Sequence, residues 1–218
     1  DRLANTAQYL KELAMKSGFF NRVGVLIGFV AMFFASTASA QMEPTWVKDG
    51  VDWQKYNKFL VRPLVVDNIK VIKPPYAQDD PSEWTLEIQD LEAIQAIFRD
   101  VMREVLTGNN GYPLVYADGK DVVEVEVELL SATPWLKPGG DESMEGFVVK
   151  TLGTGEVTGR AELRDSTTRE LLLMIEGDKA MGEKYTEFTR ANNAANIKAM
   201  FTRFATRLRN AMDKVHGK

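Results

Sequence analysis

No cysteine occurs in this sequence, and its one histidine, His216, stands two residues from the last. The first absence excludes disulfides, thiol nucleophiles and thiolate metal sites, so the fold must rest on its core alone. The second leaves too few imidazoles for a histidine-based metal site. A Ser-His-Asp triad needs an oriented, shielded imidazole, and a position in a frayed tail is not expected to supply one. A basic excess is also missing. Of 27 basic and 31 acidic residues, the first 40 positions hold four and two, which leaves 23 against 29 in the remainder. A body of net charge −6 lacks the field that a nucleic-acid binder turns toward phosphates. The same sign argues against general adhesion to anionic lipid.

Phosphate-binding glycine loops are absent as well. Gly153, Gly155 and Gly159 fall in LGTGEVTGR, but strand-like sequence flanks them on both sides and the spacing is not G-x-G-x-x-G. A phosphate cradle needs a helix N-terminus there. A turn or bulge fits better. No cofactor motif and no metal-ligand spacing is found.

One apolar run stands out. Lys16 and Arg22 precede Val23 to Phe34, and Ala38-Ser39-Ala40 follows. A basic segment, a short apolar core and a small-x-small site form a secretory signal peptide. Ser36, Thr37 and Ser39 shorten the run below the ~20 residues of a spanning helix. The reading is therefore a leader over 15–40, cleaved between Ala40 and Gln41, with no stable membrane insertion afterwards. Met15 is the better translation start, and residues 1–14 are expected to lie upstream of it. Gln41 occupies the position where a lipoprotein carries its acylated cysteine. The product is expected to be free in the periplasm.

Beyond the leader, 178 residues suffice for one domain with a real core. Residues 41–52 read as a polar lead-in and 53–218 as a single domain. Phe59 to Ile72 is rich in β-branched residues and reads as a strand, edged or broken at Pro63. Leu91, Ile94, Phe98, Val101, Met102 and Val105 recur at helical spacing, with Asp90 as N-cap and Gly108 to Gly111 as stop. Tyr112 to Tyr116 reads as a short strand. Val123, Val125, Val127 and Leu129 alternate with Glu124, Glu126 and Glu128, which marks a sheet covered on one face. Val157 to Arg164 repeats the alternation. Asp165 to Thr168 is turn chemistry, and Arg169 to Gly177 closes a hairpin. A long amphipathic helix starts near Thr189, with Met200, Phe201, Phe204, Leu208 and Met212 on one face. The expected class is α+β: a mostly antiparallel sheet of four to five strands with two helices on one face.

Glu124, Glu126 and Glu128 could form a cation site, but residues two apart on a strand lie about 6.5–7 Å apart. Cross-strand pairing with Arg160, Arg164 or Arg169 is the simpler role. Asp79-Asp80 and Asp141-Glu142 lack calcium-loop spacing. The basic residues of the last helix are expected to face water. The strongest surface candidates sit on two loops. Tyr76 and Trp84 flank one, and Trp135, Leu136 and Met144 lie in the other. Loop aromatics bury much area on contact, so these five are the candidate partner-contact residues.

The segments VDWQKYNKFLVRPL, YPLVYADGKDVVEVEVELLSATP, GEVTGRAELRDSTTRELL and FTRFATRLRNAMD together resemble one family, the proteobacterial envelope proteins of domain of unknown function 3313. The likeness spans Val51 to Asp213. It implies export, often as lipoproteins, and carries no known catalytic residues. The expected function is that of a non-enzymatic envelope accessory or binding protein, with an unidentified envelope component as partner. A periplasmic small-ligand binder or a carboxylate-dependent hydrolase is the alternative.

Overall fold

Alternation of apolar and charged residues in three long strands decides the architecture. The computed structural model describes residues 43–138, 143–144 and 147–218. The leader and its cleavage site lie outside the described residues. β4 (Val122–Pro134), β8 (Gly155–Asp165) and β9 (Leu171–Met181) form an antiparallel meander. Val123, Val125, Val127, Ala161, Leu163, Leu173 and Ile175 turn to one face and are buried.

β1 (Glu43–Val47) extends the sheet beside β9. The expected lead-in is therefore a strand: its backbone supplies a ladder that its polar composition does not announce. On the other side, the expected strand from Phe59 to Ile72 is split. β2 (Lys58–Val61) and β3 (Lys70–Val71) both run parallel to β4, one at each end of it. Pro63 lies in the break, where its missing N–H cannot serve a ladder. The main sheet thus has six strands, in the order β1-β9-β8-β4-β2 with β3 also on β4. Two short pairs lie outside it. One is β5 (Ser143–Met144) with β6 (Phe147–Val148), and the other is β7 (Lys150–Leu152) with β10 (Tyr185–Glu187). Tyr112 to Tyr116 forms no strand; a single bridge joins Leu114 to Phe59.

Two helices cover the apolar face. α1 (Ile88–Thr107) starts three residues earlier than Asp90 suggests. Glu87 is the N-cap and Asp90 stands at N3, where each side chain meets the other's backbone N–H in a capping box. α2 (Arg190–Val215) is capped by Thr189, whose hydroxyl accepts from Asn192 N at 3.2 Å. The helices meet through an edge-to-face pair, Phe98 and Phe201, with ring centroids 5.2 Å apart. Arg209 of α2 completes the end of α1. Its Nη1 donates to Gly108 O at 2.7 Å and its Nε to Asp213 at 2.8 Å. A cation is thereby held at the negative end of the α1 dipole. His216 is no frayed residue. It caps α2, its Nδ1 2.9 Å from Met212 O and its Nε2 3.2 Å from Gln54 O. Among the described residues no helix is long and apolar enough to cross a membrane.

Candidate functional site

At the end of β4 the chain must leave the sheet, and the residues that manage the exit gather the sequence candidates. Gly153 and Gly155 carry φ of +70° and +151° in the turn into β8. A Cβ on Gly153 would stand 2.4 Å from Met181 O, so only glycine fits this turn. The expected turn reading of these glycines holds, and Gly159 sits within β8 opposite Leu129 and Gly177.

The turn brings Trp135 against β7. Trp135 N donates to Thr154 O at 3.1 Å, and its indole Nε1 donates to Leu152 O at 2.8 Å. Tyr76 OH in turn donates to Trp135 O at 2.6 Å. Leu152 pairs in register with Tyr185 across β7 and β10. At the neighbouring edge, Ile72 N donates to Ala132 O at 2.8 Å. Hydrogen bonds and strand pairing therefore link Ile72, Tyr76, Trp135, Leu152 and Tyr185 around one end of the sheet. Tyr76 is 62% exposed and Tyr185 75%, and Ile72 and Leu152 are each about half exposed. Hydrogen bonds hold this end while Ile72, Tyr76, Leu152 and Tyr185 stay open around the half-buried Trp135, which is the property a contact surface needs.

The candidates divide accordingly. Tyr76 and Trp135 meet. Leu136 is half-buried beside them, and its neighbour Lys137 forms an ion pair with Glu83. Trp84 does not belong to this surface. It is 4% exposed, because the short 3-10 turn Pro81–Glu83, with Asp80 accepting from Ser82, folds it inward. The backbone of Met144 lies in β5, and its side chain and Asp141-Glu142 are outside the described residues. Leu152 and Tyr185 were missed by sequence reading. Each sits in a three-residue strand too short for alternation to show, so neither carried a signal.

The charged residues of the sheet and its turns pair with one another. On the open face of the sheet, Arg160 Nε donates to Glu176 at 2.9 Å and its guanidinium lies 3.9 Å from Glu128. Arg164 pairs with Glu162, its neighbour two residues away, and not with the acidic ladder. Glu126 stands opposite Glu162. Glu124 departs from the expected solvated ladder. It is fully buried, held by Arg62 Nε at 2.7 Å and by Arg169, which reach over it from the β2 side and from the β8–β9 turn. That turn is fixed by Asp165. Its Oδ1 accepts from Thr167 N at 3.0 Å and Thr168 N at 2.9 Å, and its Oδ2 accepts from Lys55 at 2.8 Å and Tyr56 OH at 2.9 Å. Burial pushes the Asp165 carboxyl up, but the Lys55 bond and the backbone donors outweigh it and hold the group well below the usual carboxylate range. Lys55 is raised to about 12 by the same bond, and Tyr56 to about 12 chiefly by burial. Among the described residues no group of three or more His, Cys, Asp or Glu is placed to hold a metal ion.

The profile of the family described as Protein of unknown function (DUF3313) matches residues 34–208. No curated protein matches the chain. Among solved structures, protein XCC0632 from Xanthomonas campestris is 14% identical, with 80% of this chain and 94% of that chain covered and a TM-score of 0.43. The PelC dodecamer from Paraburkholderia phytofirmans is 11% identical, with 79% and 96% covered and a TM-score of 0.37. Neither likeness bears on what this chain binds. The profile match, running through every strand of the main sheet, the whole of α1 and most of α2, makes this protein a member of the DUF3313 family.

Proposed function

We propose that this protein is a non-catalytic accessory of the cell envelope, exported by the leader over 15–40, which binds another envelope component through the aromatic end of its sheet. The observation that carries the reading is the group of exposed Tyr76, Leu152 and Tyr185 around the half-buried Trp135, anchored by hydrogen bonds to backbone carbonyls and by strand pairing. Such a rim offers large apolar contact area at small cost in side-chain freedom. Three strongly shifted titratable groups, Asp165, Lys55 and Tyr56, bond to one another and to a turn, which suits a structural role.

A photo-activatable residue at Tyr76 or Tyr185 tests the proposal in cells. Tyr116, 91% exposed at the other end of β4, is the control. Cross-links to one envelope component from positions 76 and 185, and none from 116, are expected. Equal yields from all three positions, or partners found only in the cytoplasm, would refute the proposal.

A further inference from the structure

The hydrogen bonds of the aromatic end narrow the class of its partner. Tyr76 OH donates to Trp135 O at 2.6 Å, and Trp135 Nε1 donates to Leu152 O at 2.8 Å. The polar tips of both rings are therefore satisfied within the protein. These rings can meet an apolar medium with neither donor orphaned, which removes the usual cost of burying them. Ile72 and Leu152 beside them bring no polar side-chain atom and are each 48% exposed. Tyr185 alone in this group has a hydroxyl without a partner among the described residues. A glycan is recognised through free side-chain donors, and those of Tyr76 and Trp135 are already taken. Ring and aliphatic carbon at the surface, with a phenol that can reach water, is the residue set that settles between lipid headgroups and acyl chains.

The course of the chain favours the same partner. Gly155 pairs with both Pro134 and Met181, so the last residues of β4 and β9 and the first of β8 lie at the aromatic end. β1 joins β9 beside Glu176 and runs away from that end, to Val47 beside Leu173. The backbone thus enters β1 from the aromatic side. Glu176 to Met181 is about 17 Å of strand. Residues 35–42, between the apolar run ending at Phe34 and the start of β1, span at most about 28 Å. While the leader is attached, that reach lets the apolar run stand in the same bilayer that the aromatic end touches.

We propose that the aromatic end docks on the surface of a zwitterionic lipid bilayer, with Ile72, Tyr76, Leu152 and Tyr185 at the level of the headgroups. The contact is peripheral, since no described helix is long and apolar enough to cross a membrane. The acidic body gives no pull toward anionic lipid, so apolar area and ring placement carry the attraction. This docking rests on the contact-surface reading above and makes the partner a lipid surface.

Sucrose-loaded vesicles of phosphatidylcholine are the probe, sedimented with the purified exported protein. Saturable co-sedimentation is expected. It should hold within about twofold when ionic strength rises about tenfold, because apolar docking is not screened by salt. Tyr185→Ser should weaken binding at least about fivefold, while Tyr116→Ser, at the other end of β4, stays within about twofold of the parent. If Tyr185→Ser does not fold, Ile72→Ser takes its place under the same expectation. No saturable sedimentation, an equal loss in both tyrosine variants, or binding abolished by salt would overturn the proposal. So would a self-associated form that sediments alike without lipid. A protein cross-linked from positions 76 and 185, with no vesicle binding, would overturn the lipid assignment and leave the proposed function standing.

Discussion

Replacing Asp165 by Asn removes one charge and exchanges one oxygen for an amide nitrogen. The turn should survive, because the remaining oxygen can still accept from Thr167 N and Thr168 N. The other side of the carboxylate is what fails. The new amide would point donors at Lys55 Nζ and Tyr56 OH, which now donate to Oδ2. The Tyr56 hydroxyl can rotate to accept, but an ammonium cannot. Hydrogen bonds to charged groups contribute about 1.5–3 kcal/mol each. Lys55 is 43% exposed and can swing to water, so its pair is worth at most about 1 kcal/mol. Tyr56 is buried and loses the charged acceptor in full. The sum is about 2–3 kcal/mol. For a domain of this size that corresponds to a fall in Tm of about 5–10 °C. The pH dependence gives a second measure. The folded-state pKa of Asp165 is depressed, so its contribution is complete above the unfolded value near 4 and is lost as pH falls through the folded value. Thermal unfolding followed by circular dichroism at constant salt should show the parent losing stability below about pH 4, with a slope shallower by about one proton in the variant. A Tm fall under about 2 °C at neutral pH, or identical slopes, would refute the reasoning.

Other perturbations act through different physics. Glu124→Ala leaves Arg62 and Arg169 without their shared partner, but both can reach solvent, so a loss of about 2–4 kcal/mol in urea unfolding is expected; a loss below about 1 kcal/mol would mean the buried pairs contribute nothing net. Arg209→Met strips the end of α1 of its cap and of the bond to Gly108 O, and should cost about 2 kcal/mol, with faster amide exchange in the last turn of α1 as the readout. Gly153→Ala sets a Cβ against Met181 O and strains a left-handed residue, so the variant should melt at least about 5 °C lower while Gly50→Ala, with open space around it, loses only the smaller penalty of positive φ.

Long periodic elements were legible in the sequence because their burial is one-sided. The glutamate alternation from Val123 to Leu129, the stripe from Leu91 to Leu106 and the Thr189 start of α2 all reappear in space. What escaped reading depends on contacts distant in the chain. β1 is a strand because β9 offers an edge, and nothing in EPTWV announces that. Glu124 is buried because Arg62 and Arg169 converge on it from positions 62 and 45 residues away. Trp84 and Trp135 look alike as loop aromatics, yet one turns inward and the other stays at the rim. Arg203 and Arg207 looked like a wet helix face, and only the placement of β9 shows that they line a pocket with Lys179.

The pairing of β1 with β9 also bears on the order in which the molecule assembles. Thr45 reaches Met174 across 129 positions of chain, whereas β8 and β9 join through a short turn. Closing so long a loop costs entropy that a hairpin does not pay. The meander should therefore form first and β1 last, and the last strand to arrive is the first to fray. Its departure would cost little of the core, since Trp46 and Thr45 are largely outside it. It would, however, bare the ladder of β9 as an open template for another chain. Loss of residues 43–47 is thus expected to leave the protein prone to new strand-mediated association along β9, with its helices and central strands still folded.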